Sequence, residues 1–248
     1  MQNKSALILA GGEGKRMRSE KPKALCEVLN KPMLGWVIDA VKKSGIKNIC
    51  VVTGSKKEYI EEYLNSKDKD IKTAYQSERL GTGHAVMMAK EFLRQAGGDV
   101  VILGADSPFM DSDTVTQAYK IHKDTNAFAT VISAGVDDPF GYGRIIRNND
   151  GSFNRIVEQK DADENVRKIK EVNSGAYWFN TEKLLCVLDK LNSNNAAGEY
   201  YLTDTLKLIK EEGLRVSVYE SASSDTVLGA NSPEQLEELN NIAKRKYC

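Results

Sequence analysis

Lys15, Arg16, Arg18, Lys21 and Lys23 fall within nine residues, and they directly follow the cluster Gly11-Gly12-Glu13-Gly14. Glycines after a buried strand let the backbone approach a ligand and turn several N–H groups toward one point. Phosphate oxygens are what such donors hold together with clustered cations. A solvated basic loop would carry the same charges but has no need of the glycines. Two familiar phosphate templates fail here. A dinucleotide loop opens directly into a helix, whereas Pro22 disfavours a helical Lys21. A P-loop needs Ser or Thr after Gly-Lys and a glycine five residues earlier, but Arg16 follows Gly14-Lys15 and Leu9 stands at the earlier position.

Asp106 follows the run Val100-Val101-Ile102-Leu103, at the carboxyl end of a strand where doubly wound sheets gather their ligands. Asp106-Ser107-Pro108 also suits a helix cap or turn, as does Asn231 before Ser232-Pro233. His84 and His122 are the only histidines and no Ser-His-Asp set is evident; His84 reads as structural. Cys26, Cys50, Cys186 and Cys248 are widely spaced without a Cys-x-x-Cys pair, so reduced structural thiols are expected rather than a zinc site.

The elements that must carry these residues alternate. Ala6–Leu9, Asn48–Val52, Val100–Leu103 and Ala129–Ile132 read as buried parallel strands. Met33, Trp36, Val37, Ala40 and Val41 have helical spacing, as do Ala85, Met88, Ala89 and Phe92. The expected fold is therefore α/β, a doubly wound and mostly parallel, Rossmann-like sheet. After about residue 140 the pattern changes to short strands around Asn149-Asp150-Gly151, a longer strand near Val172–Phe179, and helices from Thr181 and Asp204. One domain over 1–248 is expected, with a lobe to about 140, an inserted lobe over about 141–230 that completes a pocket, and a C-terminal helix in 231–248. In that helix Leu236, Leu239 and Ile242 share a face, which fits packing on the core better than an arm joining a homo-oligomer, and the oligomer stays open.

Lys+Arg and Asp+Glu are both 35, so there is no global field for a polyanion and nucleic acid is not an expected partner. Neither a signal core nor a run of about 18 apolar residues occurs, so no membrane partner is expected and a cytoplasmic protein is the simplest reading.

The run Leu9-Ala10-Gly11-Gly12-Glu13-Gly14-Lys15-Arg16-Met17, then Lys21-Pro22-Lys23-Ala24-Leu25, resembles the signature of sugar-phosphate nucleotidyltransferases. The segments 76–85 (QSERLGTGHA), 141–145 (GYGRI), 156–162 (IVEQKDA), 171–175 (EVNSG) and 198–204 (GEYYLTD) look more narrowly like the uridylyltransferase half of the bacterial bifunctional enzymes that make UDP-N-acetylglucosamine. They span nearly the whole chain in the family's order.

That resemblance implies UTP and N-acetylglucosamine 1-phosphate as substrates and Mg2+ as cofactor. It implies that Leu9, Ala10, Gly11, Gly12, Gln76, Gly81 and Thr82 hold the nucleotide, with the Gln76 amide offering a donor and an acceptor to uracil. Arg16 would pair with the β- and γ-phosphates, and Lys23 with the phosphate under attack. Gly143, Glu158, Asn173 and Thr203 would hold the sugar, with Asn173 near its acetamido group. Asp106 and Asn231 would be the two protein ligands of magnesium. The expected reaction is in-line attack of the sugar phosphate on the α-phosphorus, with pyrophosphate leaving into the Gly12–Arg16 loop.

Three departures qualify these expectations. Gly104-Ala105 precedes Asp106 where the family usually has another residue, often aromatic, and then glycine, which is expected to reshape the sugar side. Ser174 stands where threonine is common. The chain ends at Cys248, before the β-helix of the bifunctional enzymes, so acetyl transfer is not expected. Another hexose 1-phosphate with UTP or dTTP is an alternative, as is a non-catalytic sugar-nucleotide sensor.

Overall fold

The structure, a computed structural model, describes residues 3–12, 14–17, 19–195 and 197–248, so Glu13 and Arg18 of the basic loop, and the Lys15 side chain, lie outside the described residues. In chain order the elements are β1 (Lys4–Ala10), β2 (Glu27–Val28), β3 (Lys31–Pro32), α1 (Met33–Lys43), β4 (Asn48–Thr53), α2 (Lys57–Lys67) and β5 (Lys72–Tyr75). Then come α3 (Thr82–Met88), α4 (Lys90–Ala96), β6 (Asp99–Gly104), α5 (Ser112–Asp124), β7 (Ala129–Gly135), β8 (Arg144–Arg147) and β9 (Phe153–Val157). The rest are α6 (Glu164–Arg167), β10 (Glu171–Asn180), α7 (Thr181–Leu188), α8 (Asp204–Glu211), β11 (Val216–Ser221) and α9 (Pro233–Tyr247).

The central sheet has the order β11-β7-β10-β6-β1-β4-β5. β6, β1, β4 and β5 are parallel, with Leu7 opposite Cys50 on one side and Ile102 on the other. β10 lies antiparallel between β6 and β7, while β11 is parallel to β7, so the sheet is mixed but mostly parallel, as expected. Side chains alternate between its faces, as the period of two requires. Leu7, Val52 and Ile102 pack with Val86, Leu93, Leu184 and Ile209 of α3, α4, α7 and α8. Ile8, Val51 and Val101 pack with Val37, Leu64 and Val115 of α1, α2 and α5. Helices thus cover both faces, which is why the strands read as unbroken apolar runs.

Four details differ from the sequence expectations. The spacing over Ala85–Phe92 belongs to two helices that break at Ala89, whose φ of −97° and ψ of 12° leave helical geometry. β5 went unread because it is an exposed edge whose KTAY has no apolar run. β11, with VSVYES, went unread because it has no apolar run and its alternation lapses after Val218. Cys26 and Cys50 are buried, but Cys186 and Cys248 are on the surface. The C-terminal helix does pack on the core, burying Leu239 and Ala243 beside Met17, Met33 and Phe109. Among the described residues no helix is long and apolar enough to cross a membrane.

Candidate active site

The site lies at the carboxyl ends of β1, β4 and β6. Beyond β1, Gly11 meets Gly54, where a Cβ would stand 2.4 Å from the Gly11 carbonyl oxygen. A Cβ on Gly11 itself would stand 2.7 Å from Gln76 Oε1, so this glycine makes room for a buried amide. The Gln76 backbone N–H donates to Thr53 O at 2.8 Å, continuing the β4–β5 pairing by one residue. Its Nε2 donates to Gly81 O at 3.2 Å and stands 3.2 Å from His84 Nδ1. Nε2 is a donor only, so Nδ1 accepts and His84 carries its proton on Nε2. The structural reading of His84 therefore has a concrete content: it orients Gln76.

Gly81 has φ of +106°, and a Cβ there would lie 2.6 Å from Tyr200 O. This close approach clasps two distant loops. Tyr200 N–H donates to Leu80 O at 2.7 Å and Gly83 N–H to Tyr200 O at 2.7 Å. Leu202 N–H donates to Thr82 Oγ1 at 3.1 Å.

The charged part is assembled from three segments. Gly14, at φ of +62°, folds its loop so closely over Lys23 that a Cβ would stand 2.8 Å from Lys23 Cβ. Ala105 N–H donates to Leu9 O at 3.0 Å, which carries the β6–β1 pairing to the residue before Asp106. Gly229 presses against Asp106, where a Cβ would lie 2.9 Å from its carbonyl oxygen, and Asn231 follows at the start of α9. The Lys23 ammonium reaches both partners: it donates to Asp106 Oδ2 at 2.5 Å and to Asn231 Oδ1 at 2.8 Å.

Two cavities abut here. The first, about 410 Å³, is lined by Leu9, Ala10, Gly11, Gly12, Gln76, Gly81 and Thr82, with Lys23, Asp106 and Arg79. The second, about 350 Å³, is lined by Glu158, Asn173 and Thr203, with Asp161, Tyr177 and Tyr201. Thr82, Gly175 and Glu199 line both. Arg16 is exposed in the 3₁₀ turn Lys15–Met17 and lines neither cavity. Asn231 also stands outside both linings and joins the site through Lys23. Gly143 lies behind the second cavity. A Cβ there would meet Ile156 Cγ2 at 2.9 Å and Glu158 Oε2 at 3.3 Å, so it leaves space for the carboxylate.

The Gly104-Ala105 departure, expected to bear on the sugar side, falls on the wall of the first cavity and does not line the second. Gly104 leaves room for Asp106 Oδ1, which would stand 2.7 Å from a Cβ. Ser174 Oγ donates to Ile132 O at 2.7 Å and accepts from Ala176 N–H at 3.2 Å. A threonine hydroxyl can make both bonds.

Electrostatics separate the cavities. The second is acidic: burial pushes the Glu158 carboxyl up, and the charges of Asp161 and Asp204 add to this. Burial likewise raises Asp204 and the enclosed Tyr177 hydroxyl. The first combines Lys23 with backbone groups of the glycine loop. Arg79, Glu199, Tyr177 and Tyr201 are lining residues that sequence reasoning did not single out. Three of them, Arg79, Glu199 and Tyr201, lie inside motif segments, which is the signal that pointed to them.

Among the described residues no cluster of three His, Cys, Asp or Glu side chains stands ready for a metal. Asp106 and Asn231 nevertheless converge two oxygen atoms on one cation, the Lys23 ammonium. A hard ion that takes few protein donors and completes its shell with phosphate and water fits such a pair.

Residues 5–226 match the nucleotidyl transferase family, and the chain belongs to that family. It is 45% identical over 243 residues to the bifunctional protein GlmU of Clostridium acetobutylicum, covering 98% of this chain and 53% of that protein. With the GlmU of Clostridium novyi the identity is 44% over 241 residues, covering 97% and 52%. The chain thus spans about half the length of the curated relatives it matches. Two solved structures share the fold. One is a UDP-glucose pyrophosphorylase complexed with UDP-glucose, with a TM-score of 0.78 at 19% identity over 98% of this chain and 99% of that one. The other is described as a glucose-1-phosphate thymidylyltransferase from Bacillus anthracis, with a TM-score of 0.77 at 20% identity over 97% and 95%.

Proposed function

We propose that the chain joins UTP to N-acetyl-α-D-glucosamine 1-phosphate, forming UDP-N-acetylglucosamine, a precursor of bacterial peptidoglycan, and releasing pyrophosphate. One observation carries the reading. A cavity holding a buried amide and a lysine–aspartate pair opens onto a second cavity lined by Asn173, Glu158 and Thr203, with three residues common to both. The family and the GlmU relatives support the same reading.

A sugar 1-phosphate has a second ionisation near pH 6, so it is already anionic at neutral pH and needs no protein nucleophile. Its phosphate oxygen bonds to the α-phosphorus of UTP as the bond from that phosphorus to the bridging oxygen of the β-phosphate breaks. The protein's task is alignment and neutralisation of charge. Gln76 meets the uracil edge with Oε1 alone, since Gly81 O and His84 Nδ1 take both Nε2 hydrogens and leave no donor for the base, while Gly11 and Gly12 bring backbone N–H groups to the phosphates. Lys23 counters charge at the α-phosphate, and Arg16, exposed on the loop outside both cavities, would have to turn inward to meet the departing pyrophosphate. Glu158, Gly143 and Thr203 hold the sugar, and Asn173 its acetamido group. Magnesium, held by Asp106 and Asn231, would supply further neutralisation of phosphate charge. The cytoplasm, where nucleoside triphosphates are made, is the proposed location.

Pyrophosphate release over a grid of UTP and dTTP against N-acetylglucosamine 1-phosphate and glucose 1-phosphate tests this. The proposal requires the highest kcat/KM for UTP with the N-acetylated sugar. A higher value for glucose 1-phosphate would move the chain to another sugar, and tight binding of UDP-N-acetylglucosamine without turnover would make it a sensor.

A further inference from the structure

Asn173 sits where β10 slips its register against β7, between Asn173 and Ala176. The slip turns Gly175 to φ of +77° and brings its N–H to 3.1 Å from Asn173 Oδ1. A backbone N–H only donates, so that contact fixes which end of the amide is oxygen. The Nδ2 end then points to Tyr177, whose hydroxyl oxygen accepts from it at 2.7 Å.

Tyr177 is 3% exposed. Its backbone pairs with Ile102 of β6 and Val131 of β7 in the centre of the sheet, and its ring packs beside Phe179 at 5.8 Å between centroids. The hydroxyl is thus anchored by a buried ring on a strand paired along both edges. With one contact at each end, the Asn173 amide cannot turn about its own axis. One N–H and one lone pair remain for the cavity in a set arrangement, and an N-acyl group offers the complementary carbonyl and N–H.

We propose that Tyr177 is a positioning residue, holding the Asn173 amide in the one orientation that recognises an N-acylated sugar, and so sets the preference for that sugar over its hydroxyl counterpart. The inference rests on the function proposed above. It differs from a general packing role because it acts on one substrate group and through one residue.

The test is Tyr177→Phe, which keeps the ring and removes the hydroxyl, read by steady-state kinetics with both sugar phosphates. The expected result is a KM for N-acetylglucosamine 1-phosphate raised about tenfold, consistent with one hydrogen bond. The KM for UTP and the kcat should stay within about twofold, and selectivity over glucose 1-phosphate should fall by the factor lost in KM. In an Asn173→Ala background the same change should add nothing, because the two residues act as one unit. Unchanged selectivity in Tyr177→Phe, equal losses for both sugars, or additive losses in the double variant would overturn the inference. A wild-type protein without any preference for the N-acylated sugar overturns the functional reading as well, whereas a preference that survives the loss of the hydroxyl overturns this inference alone.

Discussion

The Lys23 ammonium is held 2.5 Å from Asp106 Oδ2, although 83 residues separate the two in the chain. Asn231 Oδ1 completes the arrangement at 2.8 Å, and the Lys23 and Asp106 side chains retain 16% and 28% of their exposure. Both sit on backbone fixed by close contacts, Gly14 over Lys23 and Gly229 against Asp106, so the pair is an organised part of the first cavity's wall.

This arrangement makes Lys23 the side chain with most to lose in the reaction. Lys23→Ala should lower kcat by roughly 10²–10³-fold, the scale of a lost charge-stabilising donor. The far-UV circular dichroism should stay that of the wild type, because the lysine terminus is not in the core. Near-normal turnover would remove Lys23 from the mechanism.

Asp106→Asn keeps the shape of the side chain and removes its charge. The magnesium concentration giving half-maximal rate should rise about tenfold or more, since a neutral amide is a poorer ligand for a hard cation. An unchanged requirement, measured by titrating magnesium at saturating substrates, would place the metal elsewhere.

On the proposed function Gln76 serves the base and not the sugar, since it lines the first cavity and not the second. Gln76→Ala removes the amide that Gly81 and His84 orient, and should raise the KM for UTP about tenfold while the KM for the sugar phosphate stays unchanged. Parallel increases in both constants would mean that the residue supports the loops rather than the base.

The raised carboxyl of Glu158 gives a pH signature. Only the ionised form accepts two sugar hydroxyls, so the KM for the sugar phosphate should rise as the pH falls, from a point above the ordinary glutamate range. The substrate's own ionisation near pH 6 contributes as well. Glu158→Gln should therefore retain only the substrate's part of the pH profile, at a higher KM throughout. Identical pH profiles for the two proteins would exclude the carboxylate. For stability the sign is the opposite of a paired acid: a raised folded-state pKa means that stability falls as the pH climbs through that window.

At the other end of the sheet Asp99 is buried, accepting from Lys123 Nζ at 3.0 Å and Tyr119 OH at 3.2 Å. His122 Nε2 is 3.5 Å away, an ion-pair distance longer than a good hydrogen bond. Burial pushes the Asp99 carboxyl up, but the contacts with His122 and Lys123 outweigh it, and the net shift is downward. Its stabilisation is present above the ordinary aspartate pKa of about 3.9 and is lost as pH falls through the depressed value. Asp99→Ala should cost about 1.5–3 kcal/mol, the scale of lost hydrogen bonds to a charged group, seen as a lower Tm by calorimetry at pH 7, with kcat unaltered. An unchanged Tm would show that the cluster contributes nothing.

Much of this was legible in the sequence, because the evidence was local. The parallel strands announced themselves as apolar runs, and the glycine loop with Lys23 forms part of a cavity wall. Asp106 declared itself by standing after a strand. What the chain order concealed was long-range. Nothing near Lys23 predicts that Asn231 shares its ammonium, because the link is made by Gly229 pressing on Asp106 from the far end of the chain. Tyr177 read as one more apolar residue of a buried strand; only the register slip at Asn173–Ala176 turns its neighbour's amide onto its hydroxyl. The edge strand β5 escaped because exposure removes the apolar pattern by which strands are recognised. Arg16, prominent in the basic loop, lines neither cavity.

The central claim is that the two cavities form one site divided between nucleotide and sugar. A crystal structure with UDP-N-acetylglucosamine and magnesium bound tests it most directly. The account predicts the uracil against Gln76 in the first cavity and the acetamido group against Asn173 in the second. Ligand density outside these cavities, or with the sugar against Gln76 and the base against Asn173, would contradict it.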